Sequence, residues 1–555
     1  MTNNPSAAAD AASLRTLAAE AIETALACDP ANATYLGAHR YDKRLADPSV
    51  AASVARAAQV RAQLAALDMV TAGPPDDAVD AAVLRTTLRA ELFEHDRLKE
   101  ADWNPMAYNP GAALDSLLTR DFAPWSTRCC ALAARLELVP DYLSAARPRL
   151  ADMSRIHVET AMAQLAGTVA LIDAVPREAR DQAPTLRARV ESAAQRARRA
   201  VVEHRDWLAT ELSAATRDPR LGPALFADKL ALTLDTDFAP EALLTRAEAD
   251  LDLVRAQIIE EAGRIAGVAA PDATTVHEVL DRCAIDAPTN ETVLTMCRDA
   301  LADATAFVRE LDLVTVHGDT ISVVEMPEIE RGVAVAYCRP AGPLEAVVLP
   351  TEFAVSPTPT DWSTEQVSSF YREYNLHMIH NLTVHEAMPG HALQLMHANR
   401  HRGPTPVRAV WSSGSFVEGW AVYAEELMAQ HRYRSGSSPD AAGALRMQQL
   451  KMRLRTIINA IMDVRFHCDD LDDAAAMELM LGRGFQERGE AAGKWRRVQL
   501  SAAQLSTYYV GYCEVRDLVS DLRAARPAWS DRQLHDEVLR HGSPPVRHIR
   551  TLTLP

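Results

Sequence analysis

From about residue 10 to 310, apolar residues recur at three- and four-residue spacing, as in Leu14, Leu17, Ala18, Ala21, Ile22 and Ala25, or Val201, Leu208 and Leu212. That periodicity predicts a series of amphipathic helices. Proline should end or restart them at Asp29-Pro30, Gly73-Pro74-Pro75, Asn104-Pro105, Asn109-Pro110-Gly111, Asp218-Pro219 and Ala270-Pro271. Between about 311 and 355 the texture changes to short β-branched runs, LVTV, ISVVEM, GVAVAYC and EAVVLP, bounded by Gly and Pro, which predicts a small sheet. Helical periodicity resumes near Ser363, where Ser363 and Gln366 have capping-box spacing, and runs to about 525. The expected organisation is an N-terminal helical region over 1–310, a β region over 311–360 and a helical region over 361–555, built into one body.

Composition sharpens this picture. With 555 residues, 48% of them hydrophobic and 24% charged, the chain is globular and large enough to enclose a deep cleft. Only 22 glycines and 5% aromatic residues favour long helices joined by short turns over an all-β architecture. A net charge of −17, with no basic stripe to offset it, argues against a nucleic-acid partner. No apolar run reaches the ~20 residues needed to span a bilayer, and the start, MTNNPSAAADAAS, lacks the basic and apolar regions of a signal peptide. The eight cysteines are scattered without CxxC pairs, and the neighbours Cys129 and Cys130 read as structural thiols. These signs together predict a cytoplasmic protein with no membrane partner.

The chemistry gathers at His385-Glu386-Ala387-Met388-Pro389-Gly390-His391, an HExxPGH sequence of two imidazoles and a carboxylate at the end of an apolar helical stretch. In the HExxH motif the histidines stand one helical turn apart and share a zinc ion, with the glutamate as base. Here they stand six apart, which on an intact helix at about 100° per residue would point them away from one another. Pro389 lacks an N–H and its ring would clash with the carbonyl of His385, while Gly390 opens backbone angles closed to other residues. The Pro-Gly step is therefore expected to break the helix and return His391 toward His385. The competing reading is a helix end with a capping histidine.

A catalytic zinc needs a third ligand and an open position. Glu418, in Phe416-Val417-Glu418-Gly419-Trp420-Ala421-Val422-Tyr423-Ala424-Glu425-Glu426, starts an apolar helix and is open to two readings, dipole partner or ligand. Asp463 and His467 share a helix face in MDVRFHC, so the carboxylate can set the imidazole's tautomer. Tyr508, in Gln504-Leu505-Ser506-Thr507-Tyr508-Tyr509-Val510-Gly511, reads either as an oxyanion donor or as a core tyrosine. Arg453, Arg455 and Arg465 have the chemistry to clamp a substrate carboxylate but need no such role on an acidic surface. His377, His380, His397, His401 and His431 read as satisfied or surface histidines.

HEAMPGHALQ, FVEGWAVYAEEL, QLSTYYVGY and the closing HDEVLRHGSPPVRHIRTL, with ATYLGAHRYDKRLAD near the start, resemble in order the bacterial domain of unknown function 885. That family is similar to thermolysin-like zinc peptidases, and EGWA resembles the segment with which zinc aminopeptidases supply a glutamate ligand. The resemblance implies a mainly α, large helical zincin-like metallohydrolase with a small β-sheet beside the active-site helix. It implies one zinc per chain on His385, His391 and Glu418, with Glu386 as general base. Tyr508 or His467 is then expected to stabilise the oxyanion, and the substrate to be a short peptide or related amide. Ala392 and Asn459 depart from the family pattern, which bears on specificity. Val422 stands where an acid orienting the first histidine is expected, and Glu425, seven residues after Glu418 on the same face, is the substitute. The rival is a non-enzymatic metal-binding or scaffold protein that has kept the fold, against which the intact Glu386 argues.

Overall fold

In the computed structural model, residues 5–554 are described except 72, 327–334, 348, 435 and 437–439. The chain forms two compact units, Met1–Pro219 with Ala341–Leu349 and Pro404–Val410, and Arg220–Pro340 with Pro350–Gly403 and Trp411–Pro555. The division falls at the Asp218-Pro219 break, inside the helical stretch that runs to about residue 310. Its physical reason is burial: Phe226, Leu230, Leu251 and Ile258 belong to the same apolar core as the helices beyond 361.

In the first unit, the helices Trp125–Ala146, Arg155–Gln182 and Arg187–Glu211 pack on one another around Leu132, Leu136, Ile172, Val190 and Val201. Within the middle helix, Arg155–Ala179 is long and apolar enough to cross a membrane, with a mean hydropathy of 1.3, and 44% of that window is buried inside the unit. The apolar length that the sequence reading did not register serves helix packing there.

The second unit is built on the helix Ala441–Cys468, buried along most of its length, against which Pro240–Ala266, Leu376–Glu386 and Thr507–Ala525 pack. Strands β1 (Ile321–Glu325), β2 (Ala336–Arg339) and β3 (Thr351–Val355) form one sheet in the order β1-β3-β2. β1 runs parallel to β3 and β2 antiparallel to it, with Cys338 opposite Phe353. Edge strand β2 packs against Leu376–Glu386, so the mainly α fold with a small sheet beside that helix is the architecture observed.

Two of the four β-branched runs are not strands. LVTV is irregular because the carbonyls of Leu313 and Thr315 serve His535 and His397 instead of a ladder. EAVVLP falls largely in the segment that belongs to the first unit, where Leu344 donates to the carbonyl of Leu36. Its Val348, like the start of GVAVAYC, lies outside the described residues. β3 is instead the following TEFAV, with Phe353, Ala354 and Val355 buried. The capping box at Ser363 and Gln366 is present.

Candidate metal centre

The helix Leu376–Glu386 starts at Asn375, whose side chain accepts from the N–H groups of His377 and Met378 at 3.1 and 3.3 Å. It ends just before Pro389, and His391 opens a new helix, His391–Ala398. Gly390 donates to the carbonyl of Val384 at 2.9 Å, and a Cβ there would overlap the carbonyl oxygens of Val384 and His385, so only glycine fits. The turn sets the two imidazoles edge to face, with ring centroids 4.7 Å apart and planes at 84°.

Glu418 comes from the helix Gly414–Gln430, capped by Ser413, whose hydroxyl accepts from Phe416 N–H at 3.2 Å. A Cβ on Gly419 would overlap the backbone of Gly511, and one on Gly511 would overlap the carbonyl of Ser415, so this helix and Thr507–Ala525 touch backbone to backbone. Oε2 of Glu418 lies 3.4 Å from Nε2 of His385 and 3.4 Å from Nε2 of His391. Among the described residues these three side chains form a group that could hold a metal ion. Zinc bonds of about 2.0–2.2 Å at tetrahedral angles put neighbouring ligand atoms roughly 3.3–3.5 Å apart, so the spacing of Glu418 to each imidazole fits such an ion. Among the described residues Oε2 of Glu418 is buried with no hydrogen-bond partner, as a carboxylate oxygen aimed at a cation would be.

Around the cluster, Glu425 accepts from Nδ1 of His385 at 2.7 Å, and its other oxygen accepts from Asn381 Nδ2 at 2.7 Å. In the neutral imidazole this bond favours the tautomer whose Nε2 lone pair is available to an ion. Burial opposes a charge on His385, but the carboxylates of Glu418 and Glu425 outweigh it and raise its pKa well above the usual histidine range. Burial raises the pKa of Glu418, but its interactions with the neighbouring imidazoles, His391 foremost, outweigh this and hold it well below the ordinary carboxylate range. Glu386 is buried and its pKa is raised by that burial, while its Oε2 accepts from the backbone N–H of Cys338 on β2 at 2.9 Å.

The structure does not bring His467 to the cluster. Its Nε2 donates to the carbonyl of Ser501 at 3.1 Å, its Nδ1 accepts from Leu221 N–H at 3.3 Å, and its ring stacks on Phe226. Both nitrogens of this imidazole, expected as a possible oxyanion donor, serve backbone groups. Asp463 likewise takes the N–H groups of Ala503 and Ser506 and the Ser506 hydroxyl, holding the turn into Thr507–Ala525, and stands 3.8 Å from Nε2 of His467. Tyr508 is half-buried with its hydroxyl 3.5 Å from Nη2 of Arg497, and it makes no hydrogen bond to the cluster. Arg453 and Arg455 are paired with Glu426 and Glu490. Sequence reasoning missed Asn381, although it stands one turn before His385, and it missed Cys338, whose contribution is a backbone group that no side-chain pattern reveals.

A family profile described as "Bacterial protein of unknown function (DUF885)" matches residues 30–552. The fold is similar to that of a candidate lipoprotein of unknown function from Shewanella oneidensis, at 27% identity and a TM-score of 0.82, covering 98% of this chain and 100% of that one. It is also similar to a candidate lipoprotein from Colwellia psychrerythraea, at 14% identity and a TM-score of 0.81, covering 98% of each chain. The M32 carboxypeptidase from Deinococcus radiodurans R1 aligns at 14% identity and a TM-score of 0.35 over 90% of this chain and 94% of that one, too distant to bear on the site. No curated protein matches the chain. The candidate-lipoprotein descriptions of two similar structures overturn the cytoplasmic reading. The signs behind it were uninformative for a physical reason: surface charge and free thiols, most of them buried or half-buried here, suit a folded body on either side of a membrane.

Proposed function

This chain belongs to the DUF885 family, and we propose that it is a metal-dependent hydrolase, a gluzincin-like zinc peptidase acting on short peptides or related amides. The observation that carries the reading is the convergence of Nε2 of His385, Nε2 of His391 and Oε2 of Glu418, beside a buried Glu386. Three protein ligands of this type leave a position open, which distinguishes a catalytic from a structural zinc site. When bound, the ion supplies Lewis acidity toward the scissile carbonyl and acidifies water. Glu386 takes the proton of the attacking water; Cys338 holds one of its oxygens and leaves the other to accept. Glu425 keeps His385 in the ligating tautomer throughout. Tyr508 is our candidate for the oxyanion donor, reaching the site in the substrate complex, where catalytic hydrogen bonds tighten. The candidate-lipoprotein descriptions of the similar structures support work at a membrane surface outside the cytoplasm.

The test is metal content followed by cleavage of a mixed peptide library read by mass spectrometry, with Glu386→Gln beside the unmodified protein. We expect about one zinc per chain in both. Cleavage should fall ~10²-fold or more in the variant, because an amide cannot accept the proton. A metal-loaded protein that cleaves no peptide or amide would make the chain a binding protein on a peptidase-like scaffold.

A further inference from the structure

The two imidazoles of the cluster are held unequally. Nδ1 of His385 is tied to Glu425, whereas Nδ1 of His391 is buried with no hydrogen-bond partner among the described residues. A ligating imidazole ordinarily has its second nitrogen tied, which fixes the ring. His391 lacks that tie, so its place relative to Glu418 has to come from the backbone on either side of it.

Two bridges supply it. Before His391, the carbonyl of Pro389 accepts from Nε1 of Trp420, two residues beyond Glu418, at 2.8 Å. After His391, the fully buried Gln394 donates from Nε2 to Oγ of Ser543 at 2.8 Å. The carbonyl of the same Ser543 accepts from N–H of Ser413, the cap of the Glu418 helix, at 2.7 Å. Ser543 thus touches the helix that begins with His391 and the start of the helix that carries Glu418. Oε1 of Gln394 is buried without a partner, so among the described residues the hydroxyl of Ser543 is what anchors this amide. A buried amide with one end unpartnered is costly to keep, and its presence is accounted for if the one bond it makes does positional work. Ser543 lies in the closing HGSPPVRHIRTL stretch, to which the proposed chemistry assigns nothing else.

We propose that Ser543 is a positioning residue of the metal centre: through Gln394 on one side and Ser413 on the other, it sets the spacing between His391 and Glu418. The inference rests on the metal-site reading above. It is tested on the full chain with Ser543→Ala and Gln394→Met, which remove the same hydrogen bond from opposite ends. Zinc affinity is measured by competition with a chromogenic chelator, and ligand geometry by the visible d–d bands of the cobalt-substituted protein. Each variant should bind zinc ~10–100-fold more weakly, as loss of an outer tie to a ligand typically does, with shifted cobalt bands. The double variant should be no weaker than either single one, because both changes remove one interaction. If one variant does not fold, the other carries the test. Wild-type zinc binding with unchanged affinity and unchanged cobalt bands in the variants would overturn the role of Ser543. A wild-type protein that takes up neither metal would instead overturn the metal-site reading itself.

Discussion

Glu425 accepts the Nδ1 hydrogen of His385 at 2.7 Å from a position two helical turns beyond Glu418, so one helix supplies both a proposed ligand and the group that orients another. Glu425→Gln keeps the shape but removes the charge that makes the imidazole a stronger donor. Zinc affinity should fall ~10–100-fold while the fold persists. Asn381→Ala, which frees the other oxygen of Glu425, should act in the same direction and less. Chelator competition checks both, and unchanged affinity in Glu425→Gln would reduce this residue to a packing role.

How much of this was legible in the sequence depends on distance along the chain. Pro389-Gly390 between two histidines carries its own geometry, because the proline clash and the glycine's missing Cβ are local facts. Glu425 was readable for the same reason, as helix periodicity puts it on the face of Glu418. Asp463 and His467 share a helix face as expected, yet each is claimed by backbone from elsewhere, at Ser506 and Ser501. The β-branched run EAVVLP has the right residues for a strand, but its segment belongs to the other unit, and strand formation needs a partner that propensity cannot name. Ser543, more than a hundred residues from either helix it joins, gave no signal beyond its place in a family motif.

His467→Ala should cost stability and leave chemistry alone. The change empties space against Phe226 and strands the N–H of Leu221 and the carbonyl of Ser501. A loss of about 2 kcal/mol or more is expected, read as a lowered denaturant midpoint, with kcat per metal-loaded chain unchanged. Tyr508→Phe should do the reverse, lowering kcat ~10²-fold with metal content intact. A drop in kcat for His467→Ala would reverse our assignment of that residue, and a normal kcat for Tyr508→Phe would move the oxyanion donor elsewhere.

Gly511→Ala should disturb the site from behind. The added methyl meets the carbonyl of Ser415, one turn before Glu418, and neither helix backbone can yield without shifting the ligand. Overpacking of this kind costs about 1–3 kcal/mol, and bound zinc should fall with it. Gly493→Ala is the control, because that glycine is exposed in the middle of the helix Arg488–Leu500 with open space around it. It should stabilise by about 1 kcal/mol through helix propensity. Equal melting temperatures for the two variants would mean that the close approach at Gly511 is not constraining.

Asp463 makes the stability of the second unit depend on pH in a direction that can be worked out. Burial pushes its carboxyl up to about 7, against the Ser506 hydroxyl and the backbone N–H groups of Ser506 and Ala503, which favour the charge without overcoming the burial. Between pH 4 and 7 the unfolded chain has this group ionised while the folded chain still holds its proton, so the unfolded state binds fewer protons. Stability from this group is then greatest at the acid end and declines as pH rises toward 7, the opposite of a salt-bridged aspartate. Asp463→Asn resembles the protonated form, with one acceptor and one donor end, and cannot ionise. The melting temperature of the variant should equal or trail that of the unmodified protein at pH 5 and exceed it at pH 8. The full effect is on the order of 4 kcal/mol at most for a shift of this size. Parallel melting curves at the two pH values would mean that the three donors win, that Asp463 is charged throughout, and that the turn into Thr507–Ala525 is held by a buried anion.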